Sequence, residues 1–252
     1  MKTDNLQRVA ASGPRTLFIG DLHLSAERPD ITHAFARFLA KELPGADALY
    51  ILGDLFEAWI GDDDLTEFNL EVASLLHQAR QFAPIYYIHG NRDFLIGPDF
   101  AKRAGLVLLP EVDTLDLYGV PTVILHGDSL CTADTEYQKF RRLRNKPWFR
   151  LVLLSLPLKL RRALARRARA KSKVATSGKD QSIMDVTPRA VDRLMQQTQT
   201  HRMIHGHTHR PAVHQLNDER QRLVVGDWYQ QDSVLLVTPE QCQLSSQALP
   251  ST

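Results

Sequence analysis

Residues 16–24 read TLFIGDLHL. A short apolar run meets a glycine, and an aspartate and a histidine follow almost at once. The construction recurs as ALYILGD at 48–54, IYYIHGN at 85–91, TVILHGD at 122–128 and RMIHGH at 202–207. Apolar runs of this length, stopped by Gly and polar residues, read as buried strands. Helix-patterned stretches separate the early ones: DITHAFARFLAKEL (30–43) and EFNLEVASLLHQARQF (67–82). Strand and helix in alternation predict an α/β fold with parallel neighbours. Towards the C-terminus, RLVVGDWYQQDSVLLV (222–237) reads as two strands around a turn.

Ligands of open α/β sheets sit at the carboxyl ends of the strands. Five strand ends of one kind therefore point to one place, and their glycines let the backbone approach a ligand closely. The side chains delivered there are Asp21, His23, Asp54, Asn91, His126, His207 and His209. At strand spacing, positions i and i+2 share a face, so Asp21 with His23, and His207 with His209, are each expected to reach one ion. Carboxylate, amide and imidazole without thiolate suit a borderline or hard divalent ion such as Mn²⁺. Seven ligands are too many for one tetrahedral ion and suffice for two if a carboxylate bridges.

Composition narrows the class. The 252 residues allow one large α/β domain or a core with an insertion. Two cysteines, Cys131 and Cys242, exclude a disulfide framework and a Cys-type zinc site. The first fifteen residues hold no apolar stretch, so no signal peptide is expected. The longest strongly apolar run, LVLLSLPL (151–158), is short of the roughly 20 residues of a transmembrane helix. A cytosolic protein is expected, one able to touch a membrane surface.

The net charge of +2 conceals an asymmetry. Lys139 to Lys179 holds fifteen of the 31 lysines and arginines and no Asp or Glu, against sixteen basic and all 29 acidic residues elsewhere. Such a block predicts an anionic partner: nucleic acid, phospholipid or a phosphorylated ligand. Within it, Leu151, Val152, Leu154, Leu158, Leu160 and Leu164 give an apolar side beside Arg161, Arg162, Arg166, Arg167 and Arg169. Two helix-like parts are expected, separated at Pro157. Basic amphipathic segments lie on anionic membranes, with long side chains snorkelling; the leucines can equally pack on the core.

The order D-x-H, G-D, G-N, H-G and G-H-x-H resembles the calcineurin-like metallophosphoesterase superfamily across most of the chain. FIGDLHL, ALYILGDLFEAWIGDD, IHGNRDFLIG, HGDSLCTADTEYQKFR, IMDV and IHGHTHRPAVH look like its bacterial UDP-2,3-diacylglucosamine pyrophosphatase branch, which serves lipid A synthesis. The resemblance implies an αββα sandwich with an inserted helical lid: a discontinuous core over 14–130 and 186–248, and a basic lid over 131–185. It implies two Mn²⁺ ions per chain. Asp21, His23, Asp54 and His209 would hold one, and Asp54, Asn91, His126 and His207 the other, with Asp54 bridging. His205 has no ligand place and is expected to be structural.

The implied reaction is hydrolysis of the pyrophosphate to UMP and 2,3-diacylglucosamine 1-phosphate, a metal-activated water attacking the UMP-side phosphorus. Asn91, Arg92, His126 and His207 would be catalytic. Many metallophosphoesterases place His where this chain has Arg92. A departing phosphate monoester is already a stable anion and needs no acid, whereas a guanidinium offers a fork for phosphate; pairing of Arg92 with Asp93 or another acid is the competing reading. Trp59, Asp134, Tyr137, Phe140, Arg169, Ser172, Thr176 and Lys179 would join Asn91, Arg92 and His207 in holding substrate. The implied partners are this lipid and an anionic membrane surface, not nucleic acid, for a monomer on the cytoplasmic face of the inner membrane. The rival is a nucleotide or nucleic-acid phosphodiesterase on the same metals. The basic block has a leucine-rich stretch where interleaved aromatic platforms would favour nucleic acid.

Overall fold

The computed structural model describes residues 13–177 and 185–249. In chain order it contains β1 (Thr16–Ile19), α1 (Pro29–Lys41), β2 (Ala48–Ile51), α2 (Glu67–Ala79), β3 (Ile85–Tyr87), α3 (Pro98–Ala104), β4 (Leu106–Leu108), β5 (Val112–Leu117) and β6 (Val120–Leu125). A short 3₁₀ turn and three helices follow, α4 (Thr135–Arg144), α5 (Pro147–Ser155) and α6 (Leu158–Ser177). The chain ends with α7 (Pro188–Thr198), β7 (Arg202–His205), β8 (Ala212–Gln215), β9 (Gln221–Val224), β10 (Gln231–Val237) and β11 (Cys242–Ala248).

Two sheets form, in the orders β11-β10-β1-β2-β3-β4 and β5-β6-β7-β9-β8. β1 through β4 run parallel, as do β6, β7 and β9. Alternation along each strand sorts the side chains. In β1, Leu17 and Ile19 face the layer of Phe35, Phe38 and Leu76 from α1 and α2, while Phe18 faces Ile124, Ile204 and Leu223 of the second sheet. Val191 and Met195 of α7 pack on the far side of that sheet against Val123, Leu125 and Met203. The layers are therefore helix, sheet, sheet, helix, and the central strands are apolar on both faces because both faces are buried. Each such side chain contributes about 1.5–3 kcal/mol by leaving water.

Three expectations change. The stretch at 222–237 does form two strands, but β9 pairs with β7 and β8 while β10 pairs with β1, in different sheets. The intervening Trp228 is fully buried, edge-on to Phe35 and Phe38, and that insertion draws the chain from one sheet to the other. The inserted segment makes three helices where two were expected. Pro147 starts α5 as well as Pro157 preceding α6, and a proline at a helix start forgoes only an N–H that would be unpaired.

The basic block is also partly neutralised from within. Arg161 and Arg162 pair with Asp63 and Asp64, Arg169 with Glu57, Arg144 with Asp128, and Arg141 with Glu111 and Asp128. The acidic Gly61-Asp-Asp-Asp loop is the dock for α6. Trp148, Leu151 and Val152 on α5 stay more than half exposed. Among the described residues no helix is long and apolar enough to cross a membrane.

Candidate metal centre

The five strand ends converge. Past β1 and β2 the parallel pairing continues through Asp21 N–H to the Gly53 carbonyl at 3.0 Å, His23 N–H to Asp54 at 3.0 Å and Leu24 N–H to Leu55 at 2.8 Å. Asp21, His23, Asp54, His207 and His209 all hold φ between +51° and +70°. Only two other non-glycine described residues, Tyr118 and Gln199, share that left-handed conformation. This corrects the strand-face argument: Asp21 with His23, and His207 with His209, meet through left-handed turns, not through pleat alternation. Such backbone is costly, about 1–3 kcal/mol per residue, and gathers at functional sites. Asp93 holds the turn, its carboxylate accepting N–H from Leu55 at 2.7 Å, Gly90 at 2.9 Å and Asp54 and Phe56 at 3.3 Å. Gly53, at φ +87°, has room for no Cβ, which would meet Gly90 and the His126 ring at 2.7 Å.

Two groups of potential ligand atoms lie within 4.8 Å of one another: Asp21, His23 and His209, and Asp21, Asp54 and His126. Asp21 belongs to both groups, and Asp54 lies between two of the histidines, Oδ2 at 3.9 Å from His23 Nδ1 and Oδ1 at 3.9 Å from His126 Nε2. His126 Nε2 is 3.1 Å from both Asn91 Oδ1 and His207 Nδ1, and His23 Nε2 is 3.2 Å from His209 Nε2. All seven expected side chains are thus gathered at one place, four of them buried and Asn91, His207 and His209 half-buried at its rim. His205 is fully buried and engaged elsewhere, with the Gly206 carbonyl at 2.8 Å and Arg222 at 3.1 Å.

The residues fit a pair of divalent cations. Asp21 Oδ1 and His23 Nδ1 are buried with no hydrogen-bond partner among the described residues. His126 Nδ1 is 2.8 Å from the Leu52 carbonyl, which fixes its proton there and turns the Nε2 lone pair to the centre. Burial and the Arg92 charge hold His23 well below its usual value, and burial pushes His207 down to about 3. Both are neutral donors, as a metal requires. Burial lifts Asp54 to about 6; burial would also raise Asp21, but His209, 3.5 Å from its Oδ1, and the other nearby imidazoles outweigh that and hold it low.

Around this centre opens a polar cavity of about 260 Å³, lined among others by Asn91, Arg92, Asp134, Tyr137, Arg169 and His207. Beside it lies an apolar cavity of about 340 Å³ with Trp59, Phe140, Phe149, Leu153 and Leu164 in its wall. Asn91, Arg92 and Arg169 line both. Asp134 also caps α4, accepting the Tyr137 N–H at 3.1 Å, and Tyr137 donates its hydroxyl to Asp128 at 2.7 Å. Trp59 donates its ring N–H to Asp62 at 3.0 Å. The side chains of Ser172 and Thr176, and all of Lys179, lie outside the described residues.

Arg92 pairs with an acid, as the competing reading held, but the acid is not Asp93. Arg92 binds Glu57, lies 3.5 Å from Asp54, and donates to the Tyr229 hydroxyl at 3.1 Å. Glu57 grips Arg169 with its other oxygen, so one carboxylate joins the core guanidinium to the α6 guanidinium. Sequence reasoning missed Glu57, Tyr229 and Asp128. The one signal for Glu57 was a lone acid inside the apolar run LFEAWI.

A family model described as calcineurin-like phosphoesterase matches residues 14–211. UDP-2,3-diacylglucosamine hydrolases align over nearly the full chain. That of Shewanella halifaxensis is 57% identical over 230 residues, 91% of this chain and 97% of its own. That of Shewanella loihica is 55% identical over 231 residues, 92% and 96% of the two chains. That of Shewanella baltica is 58% identical over 232 residues, 92% and 97%.

Proposed function

This chain belongs to the calcineurin-like phosphoesterase family, and on that footing we propose that it hydrolyses the pyrophosphate of UDP-2,3-diacylglucosamine, a step of lipid A synthesis. The products are UMP and 2,3-diacylglucosamine 1-phosphate. One observation carries the reading: a polar cavity at the centre and an apolar cavity beside it share Asn91, Arg92 and Arg169 as their common wall. A molecule with a diphosphate at one end and acyl chains at the other needs that junction. A plain phosphodiesterase has no use for the apolar side.

Asp21, His23, Asp54 and His209 would hold one Mn²⁺, and Asp54, Asn91, His126 and His207 the other. When bound, such a pair supplies Lewis-acid polarisation of phosphate and acidifies water. The chain's own residues do the rest. Arg92 and Arg169 present guanidinium forks to the diphosphate oxygens and stabilise charge as it shifts on the UMP-side phosphorus. Glu57 spaces the two guanidiniums before substrate arrives. Trp59, Phe140 and Leu164 receive acyl chain and keep water from that side. Ser172, Thr176 and Lys179 would complete the nucleotide end. Helices α4 to α6 act as the lid over 131–185. The exposed Trp148 and Leu151 within the basic insertion seat the monomer peripherally on the cytoplasmic face of an anionic inner membrane.

The test is hydrolysis of UDP-2,3-diacylglucosamine with Mn²⁺, beside bis-p-nitrophenyl phosphate, a cyclic nucleotide and a chelator control. Metal-dependent UMP release with little diester cleavage is expected. Cleavage of the diesters with the lipid untouched would instead select the phosphodiesterase reading.

A further inference from the structure

The loop that carries the chain from β9 to β10 does more than change sheets. Trp228 anchors it: its backbone N–H donates to the Asp21 carbonyl at 3.2 Å, and its ring N–H to the Ser233 carbonyl at 3.1 Å. Arg28 donates to the Tyr229 carbonyl at 2.7 Å and is itself held by Asp30, through Nε at 2.9 Å and Nη2 at 2.7 Å. The Tyr229 backbone is thus fixed from two sides, and its side chain turns to the candidate metal centre.

The Tyr229 ring stacks on the His23 ring, centroids 5.0 Å apart and planes 17° from parallel. It also leans on His209, at 5.8 Å and 51°. The hydroxyl belongs to a directional chain. A guanidinium can only donate, so the hydroxyl accepts from Arg92 Nη1 at 3.1 Å. Its own proton can then point to Glu57 Oε2, 3.5 Å away, and Glu57 binds the same Nη1. Two acceptors therefore hold one nitrogen of Arg92. An arginine side chain has many rotamers, and a substrate that found it loose would have to order it on binding. Tyr229 is in the wall of neither the polar nor the apolar cavity, so it acts through the groups it touches.

We propose that Tyr229 is a positioning residue of the hydrolytic site, an inference that rests on the activity proposed above. Its hydroxyl holds the Arg92 guanidinium ready for the diphosphate, and its ring braces the His23 imidazole as a metal donor. One side chain on the sheet-crossing loop thereby fixes the spacing between the phosphate-binding cation and an imidazole of the candidate metal centre.

The experiment compares the full chain with its Tyr229→Phe and Tyr229→Leu variants, each also made on an Arg92→Gln background. Mn²⁺ affinity is read from the paramagnetic resonance of the unbound ion, and kcat/KM from UMP release. Tyr229→Phe keeps the ring, so Mn²⁺ should bind as in the wild type, while kcat/KM falls about tenfold, the scale of one hydrogen bond to a charged group. On the Arg92→Gln background the same change should cost nothing further, because the group it positions is gone. Tyr229→Leu removes the ring as well and should weaken Mn²⁺ binding by about 10–100-fold, the scale for groups that orient metal ligands. Wild-type kcat/KM in Tyr229→Phe, or an equal loss on both backgrounds, overturns the role of the hydroxyl. Wild-type Mn²⁺ affinity in Tyr229→Leu overturns that of the ring. A tyrosine that only packs would lower the melting temperature of both variants and leave the two substitutions additive. If the wild type releases no UMP, the substrate reading fails by itself; the cycle is then read on bis-p-nitrophenyl phosphate, and the Mn²⁺ titration stands unchanged.

Discussion

Arg161 and Asp63 form a two-pronged ion pair across 98 residues of chain, Nη1 to Oδ1 at 2.7 Å and Nη2 to Oδ2. The same Nη1 donates to the Ile60 carbonyl at 2.6 Å. Arg161 is 5% exposed and Asp63 about half exposed, so the arginine is the buried partner of the tether. Arg161→Met should cost about 1.5–3 kcal/mol, the range for hydrogen bonds to charged groups. The loss should show as faster proteolysis between α5 and α6, with the core helices α1 and α2 still protected. Equal protection of mutant and wild type would mean that α6 is held by its apolar face alone.

The same pair sets a pH dependence. The hydrogen bond from Arg161 holds the Asp63 carboxyl below the usual carboxylate range. A group with a depressed folded value adds stability above its unfolded value, about 3.9, and loses it as pH falls through the folded one. Hydrogen exchange in α6 should therefore be flat from pH 8 to pH 5, after correction for intrinsic rates, and rise below about pH 4. Asp63→Asn should remove that acid-limb rise. An unchanged rise in the variant assigns it to other carboxylates.

Asp54 reaches towards both His23 and His126, each at 3.9 Å, so its loss should disturb both ends of the centre. Asp54→Asn is expected to lower kcat by at least ~10²–10³, the scale of removing one preorganised electrostatic group. Bound metal should fall in parallel by elemental analysis. A chelator should lower the melting temperature of the wild type and leave the variant nearly unmoved, since a ligand stabilises only the state that binds it.

Arg92→Lys keeps the charge and removes the fork. Activity should fall about 10–100-fold, as loss of one charge-assisted hydrogen bond implies. Added Mn²⁺ should not restore it. A lysine variant of wild-type activity would mean that Arg92 supplies charge and not bidentate geometry.

Ala165 lies in the wall of the 340 Å³ apolar cavity. Ala165→Phe should shorten the longest acyl chain accepted. Each excluded methylene is worth about 0.8 kcal/mol, so kcat/KM should drop roughly fourfold per carbon beyond the new limit. Short-chain substrate should be hydrolysed as before.

Much of this was legible along the chain. Apolar runs closed by Gly and a polar residue mark β1, β2, β3, β6 and β7, because burial on both faces leaves no room for polar residues until the strand ends. The candidate ligand side chains stand directly after those runs, so local punctuation picked out Asp21, His23, Asp54, Asn91, His126, His207 and His209, which the fold brings together. Pro147 was present in the sequence and still passed unread as a helix start, since a proline equally marks a loop.

Partnership over distance was not legible. That Arg92 chooses Glu57 over its neighbour Asp93 follows from Asp93 being spent on four backbone N–H groups of the turn. That Glu57 also takes Arg169, 112 residues away, depends on where α6 docks. The left-handed φ at five candidate ligand positions is likewise imposed by neighbouring strands and loops, against the intrinsic preference of Asp and His. A sequence lists the charges and the periodicities; which charges cancel is decided only when packing brings remote groups within hydrogen-bond reach.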